Sequence, residues 1–363
     1  MNRRNLDIVI LGLSITSSWG NGHAATYRAL VRELAARGHP VLFLERDVPW
    51  YAQNRDMPHP TFCRTELYAG VNDLKNRFEA EVRGADLVIV GSCVPDGVDV
   101  AAWVTSIARG GTAFYDIDTP VTLAKLERGD EEYMCAQLIP RFDMYLSFTG
   151  GPTLDLLASR YGAREAKPLY CSFDPSIYYP EERGIVWDLG YLGTYSADSQ
   201  IALDRLMLQA ARKWSDGRFV VAGQQYPQGI LWPDNVQRIQ HLPSAEHRAF
   251  YCSQRFTLNV TRADIVHAGY SPSVRLFEAA ACAVPAISDW WDGLDTFFEP
   301  GTEVLISKSA DQTLAYLRDM SDEERVAVGH RARLKALACH TAAHRAEELE
   351  RYALELLSAD RAT

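Results

Sequence analysis

Residues 268–306 read A-G-Y-S-P-S-V-R-L-F-E-A-A-A-C-A-V-P-A-I-S-D-W-W-D-G-L-D-T-F-F-E-P-G-T-E-V-L-I. Ser271-Pro272-Ser273 is a helix entry, with a hydroxyl cap followed by a run of helix formers over residues 274–283. Pro285 is expected to stop that helix, because it has no amide to donate. Ala286-Ile287-Ser288 is short and apolar enough for a buried parallel strand. A polar loop containing Gly293 then spans 289–295, at the carboxyl end of that strand, where open α/β sheets hold their ligands.

Two features of this unit carry ligand chemistry. The unpaired amides at Ser273 and Val274 can hold an anion such as a phosphate. Glu278 stands a little more than a turn further on, with Arg275 three residues before it. A carboxylate there can accept two hydrogen bonds from a ribose diol, and the guanidinium can neutralise a diphosphate. The same two residues can also be a surface ion pair on one helix, worth a few tenths of a kcal/mol. The apolar run Ala279-Ala280-Ala281-Cys282-Ala283 favours the first reading, since it buries the helix while its polar start opens onto a cleft.

Outward from this unit, strand and helix signals alternate. In the first half, apolar strands are expected at 6–13, 41–44, 87–90, 113–115, 144–148 and 168–170, with an amphipathic helix over 24–37 closed by Gly38. Residues 171–184 are turn-rich and suit an interdomain crossover. Strands resume at 187–192, 218–222, 236–239, 256–260 and 303–306, with helices at 201–214 and 245–252. Residues 310–357 are helical in pattern, broken near Ser321 and around 339–341. The pattern predicts an α/β protein of two doubly wound parallel sheets facing across a cleft.

The composition is that of a soluble globular chain: 363 residues, 47% hydrophobic and 23% charged, enough for two domains. A formal charge of −10 offers no basic surplus for duplex nucleic acid. Neither a membrane span nor a signal peptide is legible. The seven cysteines are scattered without a C-x-x-C, which fits reduced thiols in a cytoplasmic protein and no metal site.

Two loops of the first half are polar where ligands would sit. Gly20-Asn21-Gly22-His23 lies between the first strand and its helix, where small residues admit a phosphate. Gly20-x-Gly22-x-x-Ala25 half-matches a dinucleotide fingerprint with Glu45 as its ribose acid, but the glycines come too late after the strand. Asp116 and Asp118 follow the strand at 113–115 and, two residues apart, can point to the same side as a base or an acceptor site. Asp118 or Thr119 can instead cap the helix that Pro120 begins. His23 is either catalytic or a satisfied polar residue at a helix start.

The segment 258–306 resembles the C-terminal domain of GT-B glycosyltransferases, most closely the CgeB-like group. That group shares S-P-S-x-R-x-F-E-A-A-A-C, here residues 271–282, then D-x-x-x-G-L-x-x-x-F-E-P-G, here Asp289, Gly293, Leu294 and Phe298 to Gly301. The resemblance implies that Glu278 is the ribose-binding glutamate of the E-x7-E motif of family-4 transferases, that the Ser273 and Val274 amides hold the donor diphosphate, and that Gly22 faces the same phosphate. It implies an N-terminal acceptor domain over 1–172 joined by a returning helix within 341–363, and a donor domain over 173–340. Two departures stand out. Tyr270 occupies the place of the first glutamate of E-x7-E, and Gly193-Thr194-Tyr195-Ser196 is neutral where an Arg/Lys pair is expected, so Arg262 or Arg275 must supply the charge.

The expected function is therefore metal-independent transfer of a sugar from a nucleotide-diphosphate sugar, with UDP or dTDP as carrier and no cofactor, to a small-molecule, glycan or protein hydroxyl. His23 and Asp118 are the candidate catalytic residues. Gly20, Asn21, Gly22, Gly193, Thr194, Arg262, Ser271, Ser273, Val274, Arg275, Glu278, Asp292 and Gly293 are the candidate donor-binding residues. Gly223-Gln224-Gln225-Tyr226 is expected to border the base pocket. Trp290-Trp291 either stacks on a sugar or packs between domains. A sugar-nucleotide epimerase of the same fold and a non-catalytic nucleotide-sugar binding protein are the alternatives.

Overall fold

A computed structural model of the protein describes residues 5–359. The chain forms two compact units, residues 1–172 with 342–363, and residues 173–341. In the first, strands β1 (Ile8–Gly12), β2 (Val41–Arg46), β3 (Arg64–Tyr68), β4 (Leu87–Gly91), β5 (Gly111–Asp116), β6 (Met144–Ser147) and β7 (Ala166–Pro168) make one sheet. Its order is β3-β2-β1-β4-β5-β6-β7 and every pairing is parallel. In the second, β8 (Trp187–Leu192), β9 (Phe219–Ala222), β10 (Val236–Ile239), β11 (Gln254–Asn259), β12 (Ala286–Ser288) and β13 (Leu305–Ile306) make another parallel sheet, ordered β10-β9-β8-β11-β12-β13. Each unit thus runs outward from its first strand and then reverses, so the switch points lie beyond the carboxyl ends of β1/β4 and of β8/β11. Ligands of open α/β sheets bind there.

The strands are continuous apolar runs because both faces are covered. Ile8 and Ile10 point into one core with Tyr27, Leu30 and Leu34, whereas Val9 and Leu11 point into the other with Phe78, Val100 and Val104. The helix Ala342–Ala359 completes the first of these cores. Ala346, Leu349 and Ala353, spaced to fall on one helical stripe, bury against the helix His23–Ala36, as does Tyr352. Arg37 pairs with Glu350 at 2.6 Å, fixing the same contact at its edge.

Several boundaries differ from the sequence expectation. The helix at 274 ends at Ala281, before Pro285 can act, because Ala283 turns left-handed at φ 57° and its amide bonds back to Ala280. The strand expected at 168–170 is Ala166–Pro168: its register is set by Tyr145 opposite Ala166, and the apolar Leu169 is buried beyond the strand's end. Strand β3 escapes the sequence pattern because it is a half-exposed edge, R-T-E-L-Y, with no apolar run. The helix expected at 201–214 begins at Ala197 and is interrupted by a π turn over Asp204–Leu208, and a short helix at Ala263–Ala268 carries no buried stripe to announce it.

Candidate active site

In the first unit, the loop after β1 is anchored by two carboxylates, one buried and one at the surface. Glu45, fully buried at the end of β2, accepts from the Ile15 amide at 2.7 Å, the Thr16 amide at 3.0 Å, and the hydroxyls of Ser14 and Thr16. Asp56 takes both arms of Arg28 and the amide and hydroxyl of Ser18. Burial raises its pKa, but these hydrogen bonds outweigh burial and hold the carboxyl below the usual range. Glu45 is therefore spent on the loop itself, which removes the dinucleotide reading. Asn21 caps the helix His23–Ala36 through a 3.1 Å bond from the Ala24 amide, while its own amide nitrogen reaches the Ser17 and Trp19 carbonyls. A methyl group added at Gly20 or Gly22 would touch nothing within 4 Å, so the loop leaves open space at both glycines.

His23 opens that helix, 6% exposed, and its Nε2 lies 3.0 Å from Asp118 Oδ2. Asp118 occupies the cap position of the helix Thr119–Glu127, but its side chain does not cap. The helix start is satisfied by its backbone carbonyl, which leaves the carboxylate to face the imidazole. Asp116 points elsewhere. It is fully buried and accepts from Tyr145 at 2.5 Å, from Thr122 at 2.8 Å and from the Asp118 amide. Burial lifts it to about 6 despite those bonds. The two carboxylates thus part company, one structural and one beside His23. Cys93, just past β4, comes close to this pair. Burial first, then the charges of Asp118 and Asp116, push its thiol up to about 12, so it stays neutral.

In the second unit, the helix Val274–Ala281 starts as expected, with Ser273 Oγ accepting from the Arg275 amide at 3.4 Å. The amides of Ser273 and Val274 have no acceptor among the described residues. Arg275 and Glu278 do not pair. Arg275 turns toward the switch point and donates to Ser273 Oγ, the Tyr191 hydroxyl, and the carbonyls of Leu192 and Val260, so it ties the ends of β8 and β11 to the helix. No carboxylate lies in ion-pair reach of it among the described residues. Glu278, 6% exposed, takes the other side of the helix. Its Oε2 accepts from Tyr251 at 3.0 Å, and buried Tyr178 stands near enough for the carboxylate's charge to add to burial in raising its phenol's pKa.

Glycines bring the surrounding loops together. A methyl group on Gly193 would meet Arg275 at 2.5 Å, and one on Gly223, at φ 152°, would meet the Gly193 carbonyl at 1.9 Å. Thr194 follows in the same loop. Arg262, beyond β11, is exposed and lies 4.0 Å from Asp198. Tyr270 donates its amide to the Asp292 carbonyl at 2.6 Å and packs on Gly293, so this aromatic ring and the 292–293 turn support one another. Ser271, three residues before the helix, is buried. The tryptophans divide: Trp291 is buried against Phe297, and Trp290 is exposed. Asp289 is buried and held by the amide and hydroxyl of Thr261.

Residues 200–351 match the family model described as glycosyl transferase-like. The chain carries a GT-B glycosyl transferase-like domain. No curated protein matches the chain. Among solved structures it is similar to sucrose-phosphate synthase from Thermosynechococcus elongatus (14% identity, 98% of this chain and 100% of that one, TM-score 0.69). It is also similar to Anabaena HepE in complex with UDP-glucose (12% identity, 98% and 100%, TM-score 0.71) and to an alpha-glucosyltransferase in complex with UDP and a 13-mer DNA (12% identity, 98% and 100%, TM-score 0.68). At these identities the likeness concerns the fold. Within this transferase-like fold the sequence reading missed Tyr178, Tyr251 and Cys93. Tyr251 is separated from Glu278 by 27 positions, and no local pattern marks it. The positive φ of Cys93, 62°, is equally invisible in a sequence.

Proposed function

We propose that this protein is a glycosyltransferase that takes its sugar from a nucleotide-diphosphate donor. The observation that carries the reading is Glu278: a buried carboxylate fixed by the Tyr251 hydroxyl, one turn beyond two unpaired amides, within the segment that matches the family model. Held by Tyr251, the carboxylate is pre-oriented to accept from a ribose diol, and the Ser273 and Val274 amides offer the diphosphate a helix N-terminus. Arg275, with Arg262 nearer solvent, adds positive charge at the same strand ends. These groups stabilise the leaving diphosphate as charge develops on it. The UDP-bound structures of HepE and the alpha-glucosyltransferase support a uridine carrier.

In the first unit His23 serves as base, with Asp118 orienting the ring and stabilising the imidazolium. The acceptor O–H gives its proton to the imidazole as its oxygen bonds to the anomeric carbon. The bond to the phosphate oxygen breaks, and its electron pair leaves with the nucleoside diphosphate. Transfer so catalysed inverts the anomeric centre. The net charge of −10 supports a small-molecule, glycan or protein acceptor over DNA.

The test is a thermal-shift screen of UDP, dTDP, GDP, ADP and CMP and their sugars. A ligand at 100 times its Kd adds about 2.7 kcal/mol of apparent stability. UDP or dTDP should shift the parent and not Glu278→Ala. An equal shift in both proteins would refute the ribose role, and a product that keeps the donor's anomeric configuration would refute the base role.

A further inference from the structure

We propose that His23, Cys93 and Asp118 form a binding site for a divalent cation of the zinc class. One ligand atom from each lies within 4.8 Å of the other two. The three come from the segments that follow β1, β4 and β5, which are neighbours in the sheet, so their carboxyl ends deliver the side chains to one place. No ligand spacing in the sequence signals the cluster, because its members are 70 and 25 positions apart and meet only through strand order.

The donor set selects the metal. An imidazole nitrogen, a thiol sulfur and a carboxylate oxygen suit zinc and its first-row neighbours, whereas magnesium and calcium want oxygen throughout. Three protein ligands leave a fourth tetrahedral position for water or an exogenous ligand. The site is also built. His23 is nine-tenths buried, and its Nδ1 is a buried nitrogen without a partner. Cys93 is held left-handed at φ 62°, a conformation that a cysteine adopts only at a cost of order 1 kcal/mol or more. Ser92 fixes that turn, donating its amide to the Tyr115 carbonyl and accepting the Ile117 amide on its hydroxyl, so the ends of β4 and β5 are locked together. On binding, His23 ligates as neutral imidazole through Nε2, its one ring proton passing to Nδ1, and the Cys93 thiol proton is released to solvent.

One consequence rests on the function proposed above: a cation on His23 removes the base, so occupancy inhibits transfer. The site itself does not depend on that reading, and the experiment separates the two. The metal-stripped full chain is titrated with Co2+ and followed by absorption. A saturable near-ultraviolet band from sulfur-to-cobalt charge transfer, one equivalent per chain, is expected. It should vanish in Cys93→Ser, persist in Cys63→Ser, and need about tenfold more cobalt in Asp118→Asn. A thermal transition matching the parent's confirms that each variant is folded. Absence of the band in the parent, or its persistence in Cys93→Ser, overturns the site. In the transfer assay, each protein is compared with itself in chelator. Stoichiometric Zn2+ should inhibit the parent and spare Cys93→Ser. Zinc that binds but leaves transfer untouched upholds the site and overturns the base role of His23.

Discussion

Arg275 and Glu278 sit three positions apart on one helix and share nothing but the helix. The guanidinium is held by the carbonyls of Leu192 and Val260, and one carboxylate oxygen by Tyr251, because each side chain finds better-placed partners across the unit than along its own turn. A buried carboxylate held by a hydroxyl is a placed acceptor, whereas a surface pair would be worth a few tenths of a kcal/mol. Asp116 shows the opposite bargain. Its burial raises the carboxyl from 3.8 to about 6. The folded chain therefore keeps a proton there between about pH 4 and pH 6, where the unfolded chain has lost it. Stability from this group is present below about pH 4 and is lost as pH rises through about 6, by roughly 3 kcal/mol for a shift of some two units. Asp116→Asn removes the titration. Urea unfolding of the parent and variant at pH 4 and pH 7 should show the variant's stability gaining on the parent's by about that amount across the interval. Parallel pH profiles would refute the assignment.

At the scale of elements, the helix Val274–Ala281 is set against the helix Asp322–Cys339 through a glycine. A methyl group at Gly329 would stand 2.1 Å from the Ala283 carbonyl oxygen, a backbone atom whose residue is locked in the left-handed turn that ends the first helix. Intrinsic propensity favours alanine over glycine by about 1 kcal/mol, yet a clash with backbone cannot be relieved by a rotamer change. Overpacking of this kind costs about 1–3 kcal/mol. Gly329→Ala should therefore destabilise in chemical denaturation, and a gain in stability would show that the helices can part at no cost. Such contacts explain where the sequence was legible. Periodicity gave most strands of both sheets and the Ser273 helix start, since those depend on local pattern and on burial of both faces. The edge strand β3, the left-handed stop at Ala283, the separation of Arg275 from Glu278 and the tyrosine on Glu278 depend on partners distant in sequence. Ser273, Val274, Arg275 and Glu278 were singled out from one motif, while the arrangement that joins His23 to Asp118 needed the strand order.

At the scale of the whole molecule, the helix Ala342–Ala359 belongs to the first unit although the chain reaches it only after completing the second. Ala342–Ala359 closes the core over the helix His23–Ala36, and Tyr352 donates to the Pro168 carbonyl at the edge of the first sheet. A lesion near the C-terminus should accordingly act on the N-terminal sheet. Leu349 is fully buried in that core, so Leu349→Ala leaves a cavity costing about 2–5 kcal/mol. Because each unit has its own core, the loss falls on residues of the first. Amide hydrogen exchange should quicken in β1, β4 and the helix His23–Ala36, while β9 and β11 keep the parent's protection. Uniform acceleration across both sheets would mean that the units unfold as one, and faster exchange confined to 342–359 would mean that the first sheet stands without its C-terminal cover.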